Sequence, residues 1–239
     1  QPILQMDMTS AEQIHFVFNE KNEYYNGITK QGATVLKVSS TVNWDLYAVG
    51  RPLGKNTNGK TFWNQEKSHG ATSNSVADIP LSLLEIRQNK ANTGTAGNKA
   101  TYVDYSQPFK SALHPNAGNS LYVAKDGSIS PPSKYGKYIA GHNGISGDEL
   151  EDFMPAGSYL NKDAKNSSFH YVMDYRILPG FPAIFPNAAS ADASTPEDLV
   201  TTANNSAVLA GRPMGSGNKS YAEPGVYTMN VQYVLLEDQ

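Results

Sequence analysis

Over the first fifty residues, apolar and polar positions alternate in short runs separated by glycine and asparagine. In ILQMDM, Leu4, Met6 and Met8 fall on one side and Gln5 and Asp7 on the other, the period of two that a half-buried strand requires. IHFVFNE repeats the pattern with Ile14, Phe16 and Phe18. NEYYNGITKQGA, with Asn26-Gly27 and Gly32, reads as a turn region. ATVLKVSS and TVNWDLYAVG then predict two more strands. The second should direct Val42, Trp44, Leu46 and Ala48 inward, and Asn43, Asp45 and Tyr47 outward.

From Arg51 to about Ala77 the alternation stops, and a loop or short surface hairpin is expected around Phe62 and Trp63. IPLSLLEIR suits either a strand or a short helix. TYVDYSQPF and SLYVAKDGSIS predict strands, whereas residues 133–165 show no clean period. In SSFHYVMDYRI, Phe169, Tyr171, Met173 and Tyr175 share one face. PGFPAIFP carries three prolines within eight residues, which argues against a central strand. SADASTPEDL predicts a short helix, capped by Ser194 or Thr195 with Pro196 in its first turn. The final run, PGVYTMNVQYVLLEDQ, places Tyr227, Met229, Val231, Tyr233 and Leu235 on one face and Thr228, Asn230 and Gln232 opposite. About eight strands and almost no helix predict an all-β protein. The expectation is one domain, residues 1–239, an immunoglobulin-like β-sandwich with long inserted loops and a loop-rich insertion of about 51–165. A barrel or jelly roll would share the pattern.

Composition narrows the function. Charged residues make up 17% of the 239, against roughly 25% in ordinary soluble domains. The 19 basic and 22 acidic side chains are scattered, with no basic stripe for nucleic acid. No apolar run approaches the roughly 20 residues of a transmembrane helix, so no transmembrane segment is expected. The absence of cysteine removes disulfides, thiolate zinc sites and thiol nucleophiles. A chain beginning at Gln1 suggests signal-peptide removal, and hence an extracellular or cell-surface location.

The chemistry-bearing residues form no catalytic set. His15, His69, His114, His142 and His170 lack metal-ligand spacing, and there is no G-x-S-x-G elbow. No enzyme activity, cofactor or metal is therefore expected. The acidic run Asp148, Glu149, Glu151 and Asp152 reads as a solvated loop, with calcium as the open alternative. Asn166, Asn204 and Asn218 begin Asn-x-Ser sequences of the kind that chance supplies in so Asn-rich a chain. Trp63, Tyr135 and Tyr138, ring residues in polar surroundings, are the candidates for stacking on a glycan, and edge-capping or snorkelling is the simpler role for each. Gly225 and Tyr227 suggest a tyrosine corner, in which a hydroxyl folds back to bond the connection before its own strand.

VSSTVNWDLYAVG and EPGVYTMNVQYVLL resemble the two ends of secreted, immunoglobulin-like bacterial surface subunits of the broad fimbrial and spore-coat-like type, in Bacteroidota style. The matching positions are Val38, Ser40, Trp44 and Leu46, then Pro224, Gly225 and Tyr227. The resemblance implies a non-enzymatic subunit of a fibre, a pilus or an adhesive layer, with partners that are neighbouring subunits. It also implies assembly by strand donation, for which Gln1 to Met8 and the C-terminal strand are the candidate donors, or else pairing of Gln1 to Met8 within its own sheet. The alternative is an extracellular glycan-binding module.

Overall fold

The computed structural model describes residues 1–20, 23, 27–53, 62–71, 75–77, 79, 81–89, 105, 108–109, 119–124, 127–132, 137–141, 153–161, 169–177 and 221–238. Among them are the strands β1 (Leu4–Ser10), β2 (Thr29–Ser40), β3 (Trp44–Pro52), β4 (Asn64–Ser68), β5 (Ser75–Val76), β6 (Leu84–Gln88), β7 (Tyr138–Ala140), β8 (Gly157–Ser158), β9 (His170–Ile177), β10 (Tyr221–Ala222) and β11 (Gly225–Glu237). The protein is an all-β sandwich of two antiparallel sheets. One sheet runs β1-β2-β9-β6 with β8 beside β2, and the other runs β4-β11-β3-β7. A two-residue parallel pair, β5 with β10, stands apart.

The alternation that predicted the strands places their inner faces in one core. Leu36 and Val38 of β2, Trp44, Leu46 and Ala48 of β3, Leu84 and Ile86 of β6, and Tyr171, Met173 and Tyr175 of β9 share a single buried cluster. Full burial of one Leu- or Ile-sized side chain stabilises by about 1.5–3 kcal/mol relative to exposure. Met229, Val231, Tyr233 and Leu235 of β11 pack on the same cluster, so the inward face expected of the last strand is the observed one.

The outward faces depart from expectation. Asp45 and Tyr47 do point away from the main core, yet each is only 1% exposed. Tyr47 and Val49 form a second cluster with Tyr138, against which Tyr122, Val234 and Leu236 pack. A strap at residues 129–132 covers this cluster and is tied down by tyrosine hydroxyls. Tyr47 donates to the Ile129 carbonyl, Tyr138 to that of Pro132 at 3.0 Å, and Tyr122 to those of Ser130 and Pro131 at 3.2 and 3.3 Å. Alternation assigns Tyr47 its side of the sheet and cannot register that a segment eighty residues later lies over it.

Several local expectations are corrected. IHFVFNE pairs with no strand among the described residues, although Ile14, Phe16 and Phe18 still pack on the core. NEYYNGITKQGA contains the start of β2, where the ladder with β9 shifts register between Lys30 and Thr34. Gly32 sits in that irregularity at φ +58°, a left-handed conformation that glycine tolerates. IPLSLLEIR is both of its alternatives: a 3-10 turn at Leu81–Leu83 runs into β6. Of SLYVAKDGSIS, only Ser120 forms a bridge, to Glu85. TYVDYSQPF lies mostly, and PGFPAIFP and SADASTPEDL wholly, outside the described residues.

Charge covers the outer face of the other sheet. Two cross-strand pairs, Glu85 with Arg176 and Arg87 with Asp174, occupy adjacent registers of β6 on β9. Arg176 Nε donates to Glu85 Oε2 and Arg87 Nε to Asp174 Oδ2, at 2.5 and 2.9 Å. The Phe109 ring lies 4.7 Å from the Arg176 guanidinium and 5.2 Å from that of Arg87. Burial raises the Glu85 pKa, and the hydrogen bond and charge of Arg176 oppose the rise. Asp174, wholly buried, also accepts from Asn89 Nδ2 at 3.0 Å and from the Gly32 amide at 2.7 Å. One carboxylate therefore holds both the neighbouring strand and the irregular turn of β2. Replacing Asp174 with Ala leaves Arg87, Asn89 and the Gly32 amide without it, an expected loss of about 3–5 kcal/mol in urea denaturation. A loss below about 1 kcal/mol would show that the network does not hold the sheet.

Candidate functional site

Among the described residues, Trp63, Tyr138 and the histidines singled out from sequence do not converge. Tyr138 is 3% exposed and bonded to the strap, so it is a core residue and presents no ring for stacking. Its polar flanks gave it a surface look, and the chain segment over it was not legible. Trp63 is half-buried, packs against the main cluster and against Ile79 and Leu83, and donates its amide to the Ile79 carbonyl at 2.8 Å. Tyr135, the acidic run Asp148 to Asp152, His114, His142 and the three Asn-x-Ser sites lie outside the described residues. His15, His69 and His170 are exposed, and no group of three metal-ligating side chains occurs among the described residues. No described helix is long and apolar enough to cross a membrane.

Gly225 and Tyr227 do meet at one place. The Tyr227 hydroxyl donates to the Glu223 carbonyl at 2.6 Å, reaching back into the connection before its strand. Gln65 Nε2 bonds both that hydroxyl, at 3.1 Å, and Glu223 Oε1, at 3.0 Å, while Ser68 donates to the same carboxylate oxygen. A Cβ on Gly225 would lie 2.4 Å from the Lys67 carbonyl oxygen, so only glycine lets β4 close on β11. These contacts position strands and perform no chemistry.

A different feature, a seam between the sheets, has the form of a site. β1 ends its sheet, and its Cα atoms come within 8 Å of those of β11 in the other sheet without pairing. The Thr41 amide donates to the Ile3 carbonyl at 3.0 Å, one step before β1. That parity gives the β2 bonds to Gln5, Asp7 and Thr9, and turns the N–H and C=O groups of Leu4, Met6 and Met8 outward. On β11, the Asp238 amide donates to the Asn43 carbonyl at 3.0 Å, so residues 230, 232, 234 and 236 bond β3. The backbone groups of Val231, Tyr233 and Leu235 then face the other edge, where β4 reaches only from Gly225 to Thr228. No strand among the described residues pairs with either row.

The seam is apolar. Leu4 and Met6 pack inward from β1, and Val231, Tyr233 and Leu235 from β11. Met8, Ile3 and Val17 are 57%, 59% and 56% exposed, although Met8 lies on the inward face of β1. The N-terminal segment offered as a donor instead pairs with β2 of its own chain from Leu4 to Ser10. Sequence reasoning missed the seam because strand order decides which edges remain open; the absence of proline and lysine within both strands was the one available sign.

No protein-family model matches the sequence, and no curated protein is significantly similar to it. The class is therefore defined by architecture: an all-β, two-sheet sandwich.

Two substitutions test the corner. Tyr227→Phe should cost about 1 kcal/mol, the scale of one net hydrogen bond, in chemical denaturation, and no measurable loss would refute its role. Gly225→Ala should cost more, because backbone cannot move aside as a side-chain tip can.

Proposed function

We propose that this chain is an exported, non-enzymatic structural or adhesive subunit of a bacterial cell-surface fibre or pilus-like assembly, joined to its neighbours by β-strand addition. The seam supports this reading. It presents two rows of strand backbone groups, on β1 and β11, flanked by apolar side chains and free of edge-blunting lysine or proline. A strand added along either row gains main-chain hydrogen bonds, and alternate side chains supply specificity. The low charge of the chain and the resemblance of VSSTVNWDLYAVG and EPGVYTMNVQYVLL to surface subunits point the same way.

The purified protein should form filaments or strand-exchanged oligomers, visible by size-exclusion chromatography and electron microscopy. A persistent monomer that retains glycans on a sugar array would favour the binding-module alternative. Met8→Lys separates assembly from folding. The position is 57% exposed, so the monomer should unfold at an unchanged urea midpoint while a charge at the seam suppresses association. Undiminished assembly of the Met8→Lys protein would remove the β1 edge from the interface.

A further inference from the structure

A line of hydroxyl groups crosses the sandwich from the second sheet to the N-terminal strand. Tyr233 of β11 and Tyr175 of β9 touch hydroxyl to hydroxyl across the core. The Tyr175 hydroxyl donates to Thr34 Oγ1 on β2 at 2.7 Å. Thr34 Oγ1 donates to Ser10 Oγ on β1 at 3.1 Å, and Ser10 Oγ to the Ala11 carbonyl at 3.0 Å. Tyr175 and Thr34 are 3% and 1% exposed, while Ser10 lies at the surface.

Each hydroxyl carries one hydrogen. Because Tyr175 gives its hydrogen to Thr34, the contact with Tyr233 is made by the Tyr233 hydrogen. The line then has one direction, from Tyr233 through Tyr175 and Thr34 to Ser10, and it ends on a carbonyl. The three inner hydroxyls hold three hydrogens, and Ser10 is the acceptor that lets all three be bonded. Without Ser10 the line itself offers only two acceptors for three hydrogens, and the Thr34 hydrogen must turn to water or back toward Tyr233, with which Thr34 also interacts.

We infer that these hydroxyls form a relay coupling the seating of β1 to the state of β11, with Ser10 as its terminal acceptor. When β1 is docked the relay is complete. When β1 lifts from β2, the Thr34 hydroxyl exchanges Ser10 for water, and the change of acceptor is passed along the line to Tyr233, whose backbone groups lie on the outward edge of β11. This coupling is intrinsic to the single chain and does not depend on whether the seam receives a neighbour's strand.

The test is nuclear magnetic resonance of the intact protein with ring-labelled tyrosine. The hydroxyl protons of Tyr175 and Tyr233 should exchange slowly in the parent. Ser10→Ala should shift both ring carbon resonances and speed both hydroxyl exchanges about fivefold or more, the ratio equivalent to about one net hydrogen bond. Ser10→Thr, which keeps the acceptor, should restore the parent values, and Thr9→Ala, an exposed neighbour, should leave them unchanged. A Ser10→Ala change confined to β1 and β2, with Tyr233 unmoved, would overturn the relay and leave only a local contact. Equal effects of Ser10→Ala and Thr9→Ala would overturn it as well.

Discussion

Two interior strands of this sandwich, β3 and β9, are buried on both faces, and the second face of each must be covered by something. β3 turns Trp44, Leu46 and Ala48 into the main core and Asp45, Tyr47 and Val49 away from it, all of them buried. β9 does the same with Tyr171, Met173 and Tyr175 inside and Asp174 and Arg176 outside. A two-layer sandwich alone would leave these outer faces wet. The cover comes from connecting segments: the strap at 129–132 over β3, and Phe109 with the β6 side chains over β9.

The two covers use different chemistry for the same end. Over β3, tyrosine hydroxyls donate to the backbone carbonyls of the strap, which holds Pro132 buried against the cluster while Ile129 stays 43% exposed. Over β9, acids and bases pair across adjacent registers, and the Asp174 carboxylate extends the set to the Gly32 amide. Burying such pairs costs desolvation that their attraction only partly offsets. Their contribution is a fixed register between β6 and β9 and a fixed irregularity in β2.

The sides of the sandwich are treated differently from its faces. At β6 the edge is occupied, since Ser120 bridges Glu85 and the Leu121 amide donates to Leu84 at 2.8 Å. At β1 and β11 the described residues leave the strand edges open, with the apolar core directly behind them. An open edge with no lysine or proline is a hazard in a solitary domain and an asset in a subunit that must join another.

Alternation in ILQMDM, TVNWDLYAVG, SSFHYVMDYRI and the final run determined the strands and their inward faces, because a period of two is imposed by the backbone and survives any topology. The missing cysteines and scattered charge determined which classes of chemistry had no residues to carry them. The glycine at 225 and the tyrosine at 227 marked a corner from residues close in sequence. Tertiary structure alone decided that Tyr138 is buried and unfit for stacking, that IHFVFNE packs on the core and joins no strand among the described residues, and that the β1 and β11 edges meet at a seam. Each of those depends on which distant segment lies alongside, and a local pattern of apolar and polar residues carries no information about that neighbour.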